Sequence, residues 1–186
     1  MKRAFDIILV IMILAATIPF MLLICVLVKF TSPGPIIYSS NRIGQDNKIF
    51  KMPKFRTMKV NTPELASHLF RNPHEFITKP GTFLRRSSLD ELPQLFTILK
   101  GDMSFVGPRP ALHNQEDLIE LRNQNGVCTI KPGLTGLAQI NGRDELSIPS
   151  KVKLDIEYLE NRSFLLDVKI LFLTFLKVFF KKDITH

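Results

Sequence analysis

Two short segments of this 186-residue chain combine carboxylates with arginines. In residues 85–95 (RRSSLDELPQL), Asp90 and Glu91 follow a pair of arginines, and residues 101–110 (GDMSFVGPRP) end with Arg109 between two prolines. Such cations can neutralise phosphates, a divalent ion can bridge phosphate oxygens to one carboxylate, and the other carboxylate is then free to attack phosphorus. These residue types predict chemistry on a phosphorylated substrate.

The paired acids also have a structural interpretation. Ser88 followed by Glu91 matches a capping box, in which acids of the first turn complement the helix dipole. Pro93 fits better inside the first turn, which would move the cap toward Asp90 and weaken the box. Neighbours on a helix point about 100° apart, so the two acids cannot face one ligand equally. We expect different roles for them, at the start of a helix over 89–100 that ends at a glycine.

Further cations accompany the acids. Arg85 and Arg86 precede them, and Arg143 follows later in the chain. The prolines on both sides of Arg109 fix its backbone direction, which suits a guanidinium aimed at a phosphate. Between residues 42 and 59 there are six basic residues and one acid. This run is either a solvated face or an anion-binding edge that can also contact a membrane surface.

The composition of the chain limits the classes of molecule that it is expected to bind. The net charge of +8 favours an anionic partner, whether a nucleic acid, a phosphorylated small molecule or a lipid surface. Two cysteines and four scattered histidines indicate neither a disulfide framework nor a zinc cluster. The chain has no tryptophan and two tyrosines, which counts against nucleic acid because aromatic stacking is lacking.

The first thirty residues are almost wholly apolar. Residues 7–28 carry no charge, while Lys2, Arg3 and Lys29 flank them. A helix of this length reaches about the thickness of a hydrocarbon core. A cleaved signal peptide and a single membrane span are alternatives, but Pro19 near the middle bends the helix and favours a re-entrant form. That form would bring all three cations to one interface.

The remaining elements predict an α+β fold, mostly helical, with residues 1–30 as a re-entrant membrane helix and residues 31–186 as one further domain. Hydrophobic pattern and turn residues indicate a β-hairpin over 36–58 and a brief extended segment over 137–141. The same criteria indicate three helices, over 112–123, 150–161 and 164–182. The last helix is amphipathic, and with an apolar segment at the other end of the chain we expect it to lie in the membrane interface rather than pack on the core.

Several motifs in fixed order resemble the bacterial monotopic phosphoglycosyl transferases, and by size the chain is similar to the minimal members of that family. The resemblance covers nearly the whole chain. Its motifs are 32–35 (SPGP), 54–58 (KFRTM), 88–94 (SLDELPQ), 101–110 (GDMSFVGPRP) and 131–143 (KPGLTGLAQINGR).

The resemblance implies transfer of a sugar 1-phosphate from a UDP-sugar to a polyprenol phosphate, typically undecaprenyl phosphate, with release of UMP. It implies that Asp90 is the nucleophile of a covalent phosphosugar intermediate and that Glu91 supports catalysis, the two acids forming a Mg²⁺ site. Substrate phosphates would be bound by cations, namely Lys54, Arg56, Arg85, Arg86, Arg109 and Arg143. A break at Pro19 would leave the protein monotopic, among membrane lipids on the cytoplasmic face of the inner membrane.

Two rival functions remain at this stage. One is a sequential mechanism in which Asp90 is only a base or a ligand, and the other is a non-catalytic basic module that binds a membrane surface. The sugar, the pathway and the oligomeric state are left open, a homodimer included. We expect the contacts that select the sugar around 61–81 and 144–150.

Overall fold

Helices dominate the computed structural model, which describes residues 1–60, 62, 75–142 and 145–180. The helices are α1 (Lys2–Thr31), α2 (Lys79–Arg86), α3 (Gln94–Lys100), α4 (Glu116–Gln124), α5 (Leu137–Ile140), α6 (Ile148–Glu160) and α7 (Phe164–Phe180). The strands are β1 (Ile37–Ile43), β2 (Ile49–Phe55), β3 (Ser104–Val106) and β4 (Gly133–Thr135). The predicted mixture of helix and strand is confirmed.

The predicted hairpin is present as β1 and β2, which pair antiparallel around a short 3-10 turn at Gln45–Asn47. Along β2, Phe50 and Met52 are buried in the core. Because side chains alternate between the two faces of a strand, Lys54 lies on the same side as these two residues. The strand thus carries a cation toward the interior of the protein.

A second, parallel pair of strands was not predicted. β3 and β4 align Ser104 with Gly133 and Val106 with Thr135. The backbones approach so closely that a Cβ atom added to Gly133 would overlap the backbone of Gly107. The extended segment expected over 137–141 is wrong: α5 occupies most of it, entered from the turn at Gly136.

The single helix expected over 89–100 is also wrong. A 3-10 turn at Leu89–Glu91 precedes Pro93, and α3 begins only after that proline. Ser88 has a left-handed backbone (φ 55°) and its side chain makes no capping hydrogen bond, so the capping box is not formed. The predicted end at Gly101 is confirmed, with φ 102°. α4 starts at Glu116, four residues after its expected beginning at 112.

Helix α1 continues without interruption through Pro19 and is about 45 Å long at 1.5 Å per residue. By length and composition it could cross a membrane. One face of α1 is buried in the main core, through Val10, Leu14, Met21, Ile24 and Val28. Much of the remaining surface is exposed and apolar, including Phe20, Leu23 and Phe30.

Both ends of α1 are fastened to the rest of the chain. Near its start, the Arg3 guanidinium donates to the carbonyl oxygens of Ile98 (2.6 Å) and Leu99 (2.7 Å) at the end of α3. After its last residue, Arg56 Nη2 donates to the carbonyl (2.6 Å) and hydroxyl (2.7 Å) oxygens of Ser32. The two ends therefore contact the same folded unit.

Helix α7 is amphipathic, as predicted, and is described as far as residue 180; residues 181–182 of the predicted helix lie outside the described part. Asp167 and Ile170 are buried, whereas Leu165, Val168 and Phe172 are exposed. Asp167 accepts hydrogen bonds from Tyr158 and Lys2, which join α7 to α6 and α1. Its exposed residues are mostly apolar, with Lys169 as a charged member.

Candidate active site

The paired acids lie on a tight turn between two helices. α2 ends at Arg86, and Ser88 reverses the chain direction with its left-handed backbone. Such a conformation is strained for a residue with a Cβ atom and persists where the surroundings hold it. Because the following turn is 3-10 rather than α, Asp90 is buried while Glu91 faces β2 and the segment after β3.

Glu91 is the centre of a charged cluster. Its Oε1 atom accepts a hydrogen bond from Lys54 Nζ at 2.8 Å and another from Arg109 Nη2 at 3.1 Å. The three side chains are between 13% and 27% exposed, so the pairs are shielded from solvent. Two cations predicted to bind substrate thus meet at one of the two predicted acids.

Asp90 is only 7% exposed. The pKa of its carboxyl group is raised to about 6, mainly by burial and also by the charge of Glu91, while the charges of Lys54, Arg85 and Arg109 oppose the increase. No residue in the described part of the chain donates a hydrogen bond to its carboxylate oxygens. A buried carboxylate without such donors keeps its electron pairs available for attack.

The same environment acts on Lys54. Burial lowers the pKa of its ammonium group, with Glu91 as the main opposing influence and Arg109 adding to the decrease. Burying the charge of either Glu91 or Lys54 alone would cost free energy, and the opposite charge of the partner offsets that cost.

Arg109 is held by its backbone as well as by Glu91. The carbonyl oxygen of Pro108 accepts a hydrogen bond from the Gly133 N–H at 2.9 Å. The carbonyl oxygen of Arg109 accepts one from Arg122 Nη1 at 2.8 Å, and Arg122 in turn pairs with Asp155. The sequence analysis missed this buried Arg122–Asp155 pair, because nothing in the separation of 33 residues indicates contact.

The other predicted cations are distributed unevenly. Arg85 lies close enough for its charge to act on Asp90, while Arg86 is exposed at the end of α2. Arg56 is 5% exposed and contacts the end of α1, which gives it a structural contact rather than a place among the charges around Asp90. Arg143 lies outside the described residues, as do most of 61–81 and the start of 144–150.

The residues around Asp90 can be compared with the ligands that Mg²⁺ usually takes in proteins. The described part of the chain contains no group of three or more acids, histidines or cysteines placed to hold a metal ion. Mg²⁺ is usually held by one or two carboxylates together with substrate phosphates and water, not by a cage of protein ligands. The adjacent carboxylates of Asp90 and Glu91 fit that requirement, with the remaining ligands left to the substrate.

An apolar cavity of about 360 Å³ opens beside the charged cluster. Glu91 and Arg109 line one part of it, and Ile13 of α1 and Phe175 of α7 line others. This cavity could not be predicted from the sequence, because its lining residues come from segments that are distant in the chain. Glu91 thus belongs both to the charged cluster and to the lining of the cavity.

The chain is similar to known bacterial sugar transferases over most of its length. The family model described as bacterial sugar transferase matches residues 1–181. The UDP-glucose:undecaprenyl-phosphate glucose-1-phosphate transferase of Escherichia coli (strain K12) is 44% identical over 195 residues, which cover 98% of this chain and 41% of that protein. The uncharacterized sugar transferase EpsL of Bacillus subtilis (strain 168) is 42% identical over 185 residues, which cover 99% of this chain and 90% of EpsL.

A further relative, the exopolysaccharide production protein ExoY of Sinorhizobium fredii (strain NBRC 101917 / NGR234), is 40% identical over 190 residues, which cover 93% of this chain and 83% of ExoY. The chain belongs to the bacterial sugar transferase family. It spans most of the length of ExoY and EpsL and less than half of the Escherichia coli enzyme.

Proposed function

We propose that this protein transfers a sugar 1-phosphate from a UDP-sugar to a polyprenol phosphate such as undecaprenyl phosphate and releases UMP. The observation that carries the proposal is the buried Asp90 carboxylate beside a glutamate bound by two cations. The names of the relatives in Escherichia coli and Salmonella typhimurium, glucose and galactose phosphotransferases of undecaprenyl phosphate, support this reaction class.

In the first step, an Asp90 carboxylate oxygen attacks the phosphorus that bears the sugar. A bond forms between that oxygen and phosphorus, and the bond from phosphorus to the oxygen bridging the two phosphates breaks. UMP leaves with the electron pair, and the sugar phosphate stays on Asp90. Covalent catalysis of this kind divides one difficult displacement into two easier ones.

In the second step, a phosphate oxygen of the polyprenol phosphate attacks the same phosphorus. The bond to Asp90 breaks, the carboxylate is restored, and the product is a polyprenol diphosphate sugar. The two anionic substrates thus react one after the other, which avoids their mutual repulsion in one site. Lys54 and Arg109, held by Glu91, supply positive charge on which phosphate oxygens can be positioned.

Asp90 and Glu91 would also hold Mg²⁺. When bound, the ion would neutralise charge on the diphosphate of the donor substrate. Glu91 then has two tasks, because it orients Lys54 and Arg109 and also offers a ligand. This gives Glu91 a role distinct from that of Asp90.

We further propose a monotopic arrangement in which α1 enters the membrane and returns on the cytoplasmic face, where UDP-sugars are made. Arg3 and Ser32, near the two ends of α1, both bind the folded unit that carries Asp90. A helix that crossed the bilayer would carry these ends to opposite sides. The hydroxyl of Thr17 donates to the carbonyl of Ile13 at 2.7 Å, a contact that promotes bending next to Pro19.

The topology can be tested with single cysteines placed at the exposed positions Ala4 and Phe30, in a variant in which both native cysteines are serine. In spheroplasts treated with a membrane-impermeant maleimide, neither position should react until the membrane is opened. Reaction of one position but not the other in closed spheroplasts would establish a spanning helix and reject the monotopic arrangement.

The reaction is tested with purified protein, a panel of radiolabelled UDP-sugars and undecaprenyl phosphate. One sugar or a few should give UMP together with label in the organic phase. Asp90→Asn should give neither product. Membrane binding that is unaffected by Asp90→Asn, without UMP from any sugar, would favour the non-catalytic basic module instead.

A further inference from the structure

The apolar cavity beside Glu91 has a mixed lining. Glu91 and Arg109, which belong to the charged cluster already described, are part of it. Most of the other lining residues are apolar, among them Leu92, Leu95, Phe105, Leu134, Ile140 and Leu171. Its volume of about 360 Å³ falls within the range of ligand pockets, roughly 300–1,000 Å³.

The cavity is bounded by the helices that bear the largest exposed apolar surfaces. Ile13 of α1 lies in its wall, and α7 contributes Thr174, Phe175 and Val178. The Thr174 hydroxyl lies 2.7 Å from the Thr135 hydroxyl, which fastens α7 to β4 at this wall. A ligand in the cavity would therefore contact α1, α7 and Glu91 of the charged cluster.

Two polar groups in the lining indicate that the ligand is not hydrocarbon alone. Lys177 of α7 lines the cavity and adds a second cation to that of Arg109. Gln139 also lines it, and both polar atoms of its amide are buried without a hydrogen-bond partner in the part of the chain that the structure describes. Buried amide atoms are nearly always paired, so these point to a polar group of a ligand.

We propose that this cavity binds the acceptor lipid, with the first isoprene units of the polyprenol chain between α1 and α7 and the lipid phosphate near Arg109 and Lys177. The inference rests on the proposed transferase function and adds the position of one substrate. An isoprenoid chain meets the apolar walls, and its terminal phosphate meets the two cations of the lining. Helix α7 is then a determinant of acceptor binding.

The matched test uses two valines of α7 with similar exposure. Val178 lines the cavity and is 37% exposed, whereas Val168 is 41% exposed and is not part of the lining. Val178→Trp should raise KM for a short-chain polyprenol phosphate about tenfold, which corresponds to about 1.4 kcal/mol of binding. UMP release in a single turnover without acceptor should stay at the wild-type rate, and Val168→Trp should leave both measurements unchanged.

Equal KM values for the wild-type protein and Val178→Trp would reject the cavity as the acceptor site. Equal effects of the two tryptophans would reject it as well, because they would reflect the membrane surface of α7 in general. If the wild-type protein releases no UMP from any donor, the proposed function fails and this inference fails with it, which distinguishes that outcome from the other two.

A second measurement does not depend on turnover. A polyprenyl phosphate with a diazirine in its first isoprene unit should label the tryptic peptide 170–177, as read by mass spectrometry. Unlabelled polyprenyl phosphate should suppress the labelling, and phosphatidylglycerol at the same concentration should not. Suppression by phosphatidylglycerol to the same extent would show an ordinary membrane lipid in the cavity and overturn the proposal.

Discussion

Asp90, Asp155 and Asp167 are three of the four buried aspartates in the described part of the chain, and their surroundings differ. Asp155 and Asp167 are 2% and 6% exposed, and each accepts hydrogen bonds from a cation, Arg122 and Lys2 respectively. Asp90 is 7% exposed and, in the described part of the chain, accepts no hydrogen bond. The difference separates acids that hold elements together from an acid that is kept for chemistry.

Hydrogen-bond donors decide whether a buried carboxylate stabilises the fold. A buried carboxylate bound by donors stabilises the fold, and removal of its charge leaves those donors without a partner. A buried carboxylate without donors gains little from the fold. Burial raises the pKa of both Asp90 and Asp155, but only at Asp155 does a hydrogen bond from a cation oppose this increase. Selection for stability alone would not favour the second arrangement, so Asp90 indicates function.

The largest expected effect comes from Asp90→Asn. It should lower the rate of UMP release by on the order of 10⁴-fold, because the nucleophile is lost. The thermal midpoint should stay unchanged or rise, since a neutral amide is less costly to bury than a carboxylate. Steady-state assays and thermal unfolding in detergent check the two parts. A large loss of stability would place Asp90 with the structural acids.

Lys54 and Arg56 offer a second comparison, since both are buried cations two residues apart. Lys54→Met should reduce turnover roughly 10²-fold, as expected for loss of one charge that stabilises a transition state. Arg56→Met should lower the thermal midpoint and keep turnover per folded molecule within about threefold, because its bonds go to Ser32. If Arg56→Met instead raises KM for the UDP-sugar, the substrate-binding role expected from sequence is correct.

Asp167→Asn makes the same chemical change as Asp90→Asn in the other environment. The loss of charge opposite Lys2 should reduce the free energy of unfolding by about 2 kcal/mol. Turnover per folded molecule should stay within about threefold. Denaturant titration together with activity measurements checks this result. Loss of turnover at wild-type stability would remove the distinction between the two kinds of aspartate.

The smallest effect is a change in pH dependence. UMP release without acceptor should decrease as the pH falls below about 6, because Asp90 becomes protonated and its nucleophilic form is lost. The Glu91 charge raises the pKa of Asp90, so Glu91→Gln should move this decrease to lower pH, whatever its effect on the maximum rate. A shift to higher pH would contradict the described electrostatics.

Local sequence patterns predicted the elements whose stabilising residues lie within a few positions. These are α1, the hairpin of β1 and β2, the end of α3 at Gly101 and the amphipathic α7. The short strands β3 and β4 were missed, because three residues are too few for a periodic pattern and their close pairing requires Gly107 and Gly133 from distant segments.

The candidate site, like the fold, was predicted from the sequence only in part. Residue type and spacing indicated Asp90, Glu91 and Arg109, the family resemblance added Lys54, and the structure brings these four together. The environment of Arg56 was not predictable, because its interaction with Ser32 depends on where α1 ends against the fold. The left-handed turn at Ser88 was hidden by a sequence that also matches a capping box.

The proposed reaction depends most on Asp90 as the nucleophile, and mass spectrometry of the intact protein tests this role directly. After mixing with a reactive UDP-sugar and no acceptor, the protein should gain the mass of one sugar phosphate, located by fragmentation on Asp90. An equal amount of UMP should appear, and addition of polyprenol phosphate should remove the adduct. Release of UMP only when acceptor is present, without an adduct, would contradict the account and support a sequential mechanism.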